Sequence, residues 1–134
     1  MSAAAKVGIV LVSHSASLAE GTAELAAQIG GGTVPIGTAG GTDDGGIGTS
    51  IARIRRALSL ADAGAGVVIL PDLGSSVLTV RALLAEPDDL PEPLAIADAP
   101  FVEGAVAATV TSAAGGDFKA VLSAAEEAWN ARKL

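Results

Sequence analysis

The sequence predicts an α/β fold: a doubly wound, mainly parallel sheet of about four strands with helices on both faces. Three observations carry that reading. Apolar runs of strand length, at residues 7–12, 67–70 and 94–97, alternate with longer segments of helical period. Glycine and proline clusters punctuate the alternation at 30–32, 37–48 and 86–93. With 134 residues, half of them hydrophobic and with no internal repeat, residues 1–134 are expected to form one domain with a real core.

The first strand, residues 7–12, is a β-branched apolar run that stops at Ser13-His14-Ser15. A helix follows. Ser17 and Glu20 have the spacing of a capping box, and Leu18, Leu25 and Ile29 supply its apolar stripe. Gly30-Gly31-Gly32 ends it, and residues 33–36 offer a short second strand whose Pro35 suits a sheet edge. Residues 37–48 then read as a glycine-rich loop carrying Asp43 and Asp44, long enough to suggest a use. It is not a nucleotide-binding P-loop: Gly41 and Gly46 have the outer spacing, but Ile47-Gly48 stands where Lys-Ser/Thr is required, and the two aspartates repel phosphates.

The second helix is expected over 49–61, capped by Thr49 or Ser50, with Ile51, Ile54, Leu58 and Ala61 inward and Arg53 and Arg56 on the wetter side. The strand at 67–70 runs into Pro71-Asp72-Leu73-Gly74-Ser75-Ser76, which opens a third helix over 77–85. An acidic, proline-rich connection leads to a fourth strand at 94–97. A weakly amphipathic helix over 102–114 follows. A last helix over 117–132, capped by Asp117, is expected to bury Phe118, Val121, Leu122, Ala125 and Trp129.

Composition removes several classes of function. Two phenylalanines, one tryptophan and a net charge of -7 argue against nucleic acid as a partner, because bases lack stacking platforms and phosphates lack cations. The absence of cysteine excludes thiolate chemistry and cysteine metal sites, and a single histidine excludes a multi-histidine metal centre; neither a metal nor a cofactor is expected. The amino-terminal residues lack a clustered positive region, and no apolar run reaches the length of a membrane span. The expectation is a cytoplasmic protein without membrane contact.

If the strand order is 2-1-3-4, the reversal between strands one and three brings the loops carrying His14 and Asp72 together at the carboxyl edge of the sheet. A histidine whose second ring nitrogen is held by a carboxylate has a fixed tautomer and a directed free nitrogen. Three chemistries follow: attack of His14 on a phosphoryl group held by helix-end amides and Ser75 or Ser76, general-base activation of Ser75, or simple anion binding. Purely structural roles exist for the same residues, with His14 satisfying a loop, Asp72 opening a turn and Ser75 capping a helix. The serine-nucleophile version lacks the G-x-S-x-G elbow, since Ser75 lies in Leu73-Gly74-Ser75-Ser76-Val77. A phosphohistidine carrier is favoured.

Four separated motifs resemble the mannose-family enzyme IIA domain of the phosphotransferase system: residues 8–15 with Leu18-Ala19-Glu20-Gly21, Gly41-Thr42-Asp43-Asp44 with Ile47-Gly48-Thr49, Asp72-Leu73-Gly74-Ser75, and residues 98–105. The resemblance covers nearly the whole chain, and is greatest to the branch serving the phosphoenolpyruvate-dependent dihydroxyacetone kinase. It implies that His14 takes a phosphoryl group on Nε2 from phospho-HPr, with Asp72 orienting the ring. The group then passes to ADP on the nucleotide-binding subunit (DhaL), which serves the dihydroxyacetone-binding subunit (DhaK). It further implies a homodimer, and contacts to phosphate or partner from Ser15, Gly41, Thr42, Thr49, Gly74, Ser75 and Ser76. Ser76 departs from the family, where alanine is frequent after D-L-G-S. The alternatives are a IIA component of a sugar transporter and a regulatory module switched by phosphorylation of His14.

Overall fold

The computed structural model describes residues 4–86 and 88–134. Four parallel strands, β1 (Gly8–Ser13), β2 (Ile36–Gly40), β3 (Val67–Pro71) and β4 (Leu94–Ile96), lie in the order β2-β1-β3-β4, as expected from the alternation of elements. The helices are α1 (Ala16–Gly30), α2 (Ile51–Ala61), α3 (Gly74–Leu84), α4 (Phe101–Ala113) and α5 (Phe118–Glu127). The register pairs Leu11 with Thr38 on one side and Leu70 on the other, so β1 is central and wholly buried.

Strand alternation divides the core into two layers. Ile9, Leu11, Val68 and Leu70 pack against Ala26 of α1, Ala105 and Ala108 of α4, and Val121 and Ala125 of α5. Val10, Val12, Val67 and Ile69 meet Ile54, Ala57 and Leu58 of α2 and Val80 and Leu83 of α3 on the opposite face. Each fully buried Val, Leu or Ile stabilises the fold by about 1.5–3 kcal/mol relative to its exposed state, so these aliphatic layers hold the site without aromatic help.

Close packing on small residues explains where the sequence reading was displaced. β2 occupies Ile36–Gly40, not 33–36, within the segment expected to be loop. Its glycines serve approach, not flexibility: a Cβ on Gly37 would lie 2.5 Å from the Ala57 carbonyl oxygen, and one on Gly40 2.6 Å from the Ser15 carbonyl oxygen. In α1 the buried residues are Ala19, Thr22 and Ala26, whereas Leu18, Leu25 and Ile29 are exposed. The alanine face lets α1 lie close to the sheet and α4, which turns the bulky stripe outward. Ser15, not Ser17, caps this helix, its Oγ accepting from the Leu18 N–H at 3.2 Å.

Ser50 caps α2 and Asp117 caps α5, both among the expected caps. Ile51 is exposed, while Arg53 turns back to donate to the Gly40 carbonyl at 3.1 Å. Helix α3 starts at Gly74, three residues before the expected start, which moves Ser75 and Ser76 into its first turn. The last helix stops at Glu127 and gives way to a 3-10 turn over Ala128–Asn130. That tightening carries Trp129 to the surface, 60% exposed and not buried as expected, where its indole N–H donates to the Asp98 carbonyl at 3.0 Å. Among the described residues no helix is long and apolar enough to cross a membrane.

Candidate functional site

The strand order places the carboxyl ends of β1 and β3 side by side. A backbone bond from the Asp72 N–H to the Val12 carbonyl, 2.9 Å, extends their pairing past the end of the sheet. His14 and Asp72, 58 residues apart, meet there. The ring Nδ1 of His14 lies 3.0 Å from Asp72 Oδ1, and the His14 backbone N–H donates to Oδ2 at 3.0 Å. Side chain and backbone of the histidine are thus held by one carboxylate.

That carboxylate has three further donors. The Ser13 hydroxyl donates to Oδ2 at 3.0 Å, the Ser76 hydroxyl to Oδ1 at 2.7 Å, and the Leu73 N–H to Oδ1 at 2.7 Å. Burial alone would raise the Asp72 carboxyl, but the bonds from Ser76, the His14 backbone, the His14 ring and Ser13 outweigh it and lower the group to about 2. Asp72 is therefore ionised at neutral pH and is an acceptor only. It fixes the proton of His14 on Nδ1 and leaves the lone pair on Nε2.

The Ser75 hydroxyl lies 2.6 Å from Nε2, and its proton points to that lone pair. Helices α1 and α3 both begin beside this pair; the Ser15 hydroxyl takes the Leu18 N–H and the Leu73 carbonyl takes the Ser76 N–H, which leaves the earlier first-turn amides and the positive ends of the two helix dipoles. An anion on Nε2 would meet the Ser75 hydroxyl in the first turn of α3. His14 is partly exposed, with its side chain at 20%, so the nitrogen is reachable by another molecule.

Of the residues singled out from sequence, the fold brings His14, Asp72, Ser75 and Ser76 into one hydrogen-bonded group. Ser15 and Gly74 stand at the two helix starts, Ser15 as a cap whose hydroxyl faces Leu18 and not the ring. Gly41, Thr42 and Thr49 form no bond to the histidine side chain. Gly41, at φ 77°, donates to the Ser13 carbonyl at 3.1 Å. The Thr42 hydroxyl bonds Asp44 and accepts from the Gly46 N–H at 2.9 Å, and Thr49 reaches Thr79 of α3 at 2.7 Å. These bonds shape the glycine-rich loop, and the Gly48 N–H ties it to the His14 carbonyl at 3.0 Å.

Ser13 was missed. Its hydroxyl joins Asp72 to the first turn of α1 by donating to Oδ2 and accepting from the Ser15 N–H at 3.0 Å, although the residue is wholly buried. The signal was a polar residue closing an otherwise apolar strand. Among the described residues no group of three or more His, Asp or Glu could hold a metal ion.

Four large apolar side chains lie close in sequence to the residues of this polar centre. Leu18, Ile47, Leu73 and Leu78 are 43–80% exposed, and each is adjacent, or within a helical turn, to Ser15, Gly48, Asp72 or Ser75.

The family model described as the PTS system fructose IIA component, EIIA-man, matches residues 8–122. A Listeria innocua protein named PEP-dependent dihydroxyacetone kinase 2, phosphoryl donor subunit DhaM, is 38% identical over 117 residues, 87% of this chain and 94% of that protein. A Providencia stuartii protein named PEP-dependent dihydroxyacetone kinase, phosphoryl donor subunit DhaM, is 38% identical over 132 residues; that match spans 95% of this chain but 28% of that protein. A solved crystal structure, described as that of the unknown function protein EF1359, superposes with a TM-score of 0.80 at 32% identity, covering 91% of this chain and 94% of that one.

Proposed function

This chain belongs to the EIIA-man family, and from that premise we propose that it is a phosphocarrier: His14 Nε2 accepts a phosphoryl group from phospho-HPr and passes it to ADP on the nucleotide-binding subunit of a dihydroxyacetone kinase. The observation that carries this reading is the His14 ring held through Nδ1 by Asp72, with Nε2 bonded to the Ser75 hydroxyl in the first turn of α3. The relatives' names favour the kinase branch over sugar transport.

The chemistry needs no proton movement on the ring. The Nε2 lone pair attacks phosphorus as the donor's N–P bond breaks, and its electrons return to the donor imidazole. The proton stays on Nδ1, where Asp72 offsets the positive charge that the ring gains. Ser75 releases Nε2 as phosphorus approaches, and its hydroxyl turns to a phosphoryl oxygen beside the first-turn amides of α3. Transfer onward reverses these roles, with the phosphoryl group leaving for a terminal phosphate oxygen of the acceptor. Catalysis in such transfers is positioning and charge stabilisation.

The exposed Leu18, Ile47, Leu73 and Leu78, each close in sequence to a site residue, support protein partners over free small molecules. The net charge of -7 favours encounter with basic docking faces. A homodimer and a cytoplasmic location belong to the same proposal; the exposed Leu25 and Ile29 of α1 give a second copy an apolar surface to cover.

The test is intact mass after incubation with phosphoenolpyruvate, enzyme I and HPr, with the site mapped under conditions that preserve acid-labile phosphate. One phosphoryl group on His14, lost in His14→Ala, is the expected result. Full labelling of His14→Ala, or no label with a donor active on another substrate, removes the proposal.

A further inference from the structure

Ser76 stands between the two members of the His14–Asp72 pair. Its Oγ is 2.7 Å from Asp72 Oδ1 and 3.2 Å from His14 Nδ1, while Nδ1 and Oδ1 are 3.0 Å apart. The three atoms form a triangle. Ser76 is wholly buried, so water does not compete for its hydroxyl. The hydroxyl proton goes to Oδ1, which already accepts from the Leu73 N–H, and the hydroxyl oxygen takes a share of the Nδ1 proton in a three-centre bond.

Both contacts act in one direction. A carboxylate oxygen that accepts from Ser76 has less charge to offer the ring, and an Nδ1–H shared between two oxygens is drawn less strongly to either. Electron density at Nε2 follows the strength of that Nδ1–H···carboxylate bond. We propose that Ser76 is a positioning residue that weakens the Asp72–His14 bond and so keeps the phosphohistidine N–P bond labile, favouring release of the phosphoryl group over its retention.

The inference rests on phosphorylation of His14 as proposed above, and its chemistry balances without a further reactant. When the N–P bond breaks, its electron pair returns to Nε2 and the phosphoryl group passes to an acceptor oxygen or to water. The Nδ1 proton stays in place and Asp72 remains ionised. Without the Ser76 hydroxyl the Nδ1–H points to Oδ1 alone, the ring becomes a poorer leaving group, and the phosphorylated state lives longer.

The test compares wild type, Ser76→Ala and Ser76→Thr. His14 is phosphorylated with phosphoramidate, a small-molecule donor, so that labelling does not depend on the identity of the protein donor. The hydrolysis rate of the phosphohistidine is followed by intact mass, and the Nδ1–H resonance of the unphosphorylated protein is read by NMR. Ser76→Ala is expected to hydrolyse roughly two- to tenfold more slowly, the range of one exchanged hydrogen bond, with its Nδ1–H resonance moved downfield. Ser76→Thr, which keeps the hydroxyl, returns both readouts toward wild type. An unchanged or faster hydrolysis in Ser76→Ala with an unmoved resonance overturns the inference. Failure of HPr to label a wild type that phosphoramidate does label counts against the donor assignment and leaves the Ser76 comparison intact. The resonance decides the Ser76 inference even if His14 takes no phosphate from either source. Loss of the resonance in an unfolded Ser76→Ala is recognised from its whole spectrum, and Ser76→Cys, with a weaker donor and similar volume, then gives the same comparison.

Discussion

Replacing Asp72 by Asn tests the centre of the site with one atom. The native carboxylate accepts from the His14 ring, the His14 N–H, the Leu73 N–H, Ser13 and Ser76. An asparagine keeps one acceptor oxygen and brings an NH2 group against donors on the other side. The donors around it lower the folded carboxyl from its ordinary value of 3.8 to about 2, so the charged form contributes stability that is fully present above the unfolded value and lost as pH falls through the folded one. The donors that produce the shift are the ones Asn displaces, so one contribution covers both; with the carboxyl partly open to solvent it amounts to about 1–2 kcal/mol at neutral pH. Urea unfolding at pH 7 should show Asp72→Asn less stable by about 1–2 kcal/mol. Repeated between pH 5 and pH 2, the wild type should lose that margin while the variant lacks this part of the pH slope. A variant as stable as wild type at pH 7, with an unchanged acid slope, would refute the account of Asp72 as a saturated, ionised acceptor.

Three further outcomes follow from single contacts. Ser75→Ala should still be phosphorylated on His14, but about 10- to 100-fold more slowly in single-turnover transfer, because one phosphoryl-oxygen donor is gone while the helix amides remain. Gly8→Ala places a Cβ 2.0 Å from the Ala61 carbonyl oxygen, so β1 and the end of α2 must separate; a loss of about 3 kcal/mol by urea unfolding is expected. Thr109→Val removes a buried hydroxyl that has no partner among the described residues while keeping the side-chain shape, and thermal melting should show equal or higher stability, by up to about 1 kcal/mol.

The topology was legible because it follows from apolar period and chain order alone. Strands β1, β3 and β4 are short runs of Val, Ile, Leu and Ala that a helix-period pattern does not explain, and the crossover rule then leaves few sheet orders. What was not legible is how the helices face. In α1 the three largest apolar residues are exposed and the buried ones are Ala19, Thr22 and Ala26, an inversion that a hydrophobicity pattern cannot express. Burial there is decided by how closely α4 approaches, and the contact that sets it is Gly30 against Thr109, where a Cβ would come within 2.6 Å of the threonine methyl. The same cause hid β2. Gly37 and Gly40 read as loop residues because glycine favours turns, yet here both admit neighbouring backbone to a strand.

At the site, the sequence reading separated partners by type more surely than by distance. His14 and Asp72 were paired by topology, and Ser75 and Ser76 followed from lying next to Asp72 at a strand's end. Ser13 escaped because a buried serine in an apolar strand has no pattern of its own; its role exists only once Asp72 is placed 59 residues away. Gly41, Thr42 and Thr49 were expected, from the family resemblance, to contact the phosphate or the partner surface. In the fold that loop is tied to His14 by the Gly48 N–H on its carbonyl, and the threonine hydroxyls bond within the loop or to α3. Ile47 of that loop is exposed. Nearness in sequence is thus a poor guide to which hydroxyl reaches the ring: those of Thr42 and Thr49 bond within the loop or to α3, whereas that of Ser75 bonds His14 Nε2.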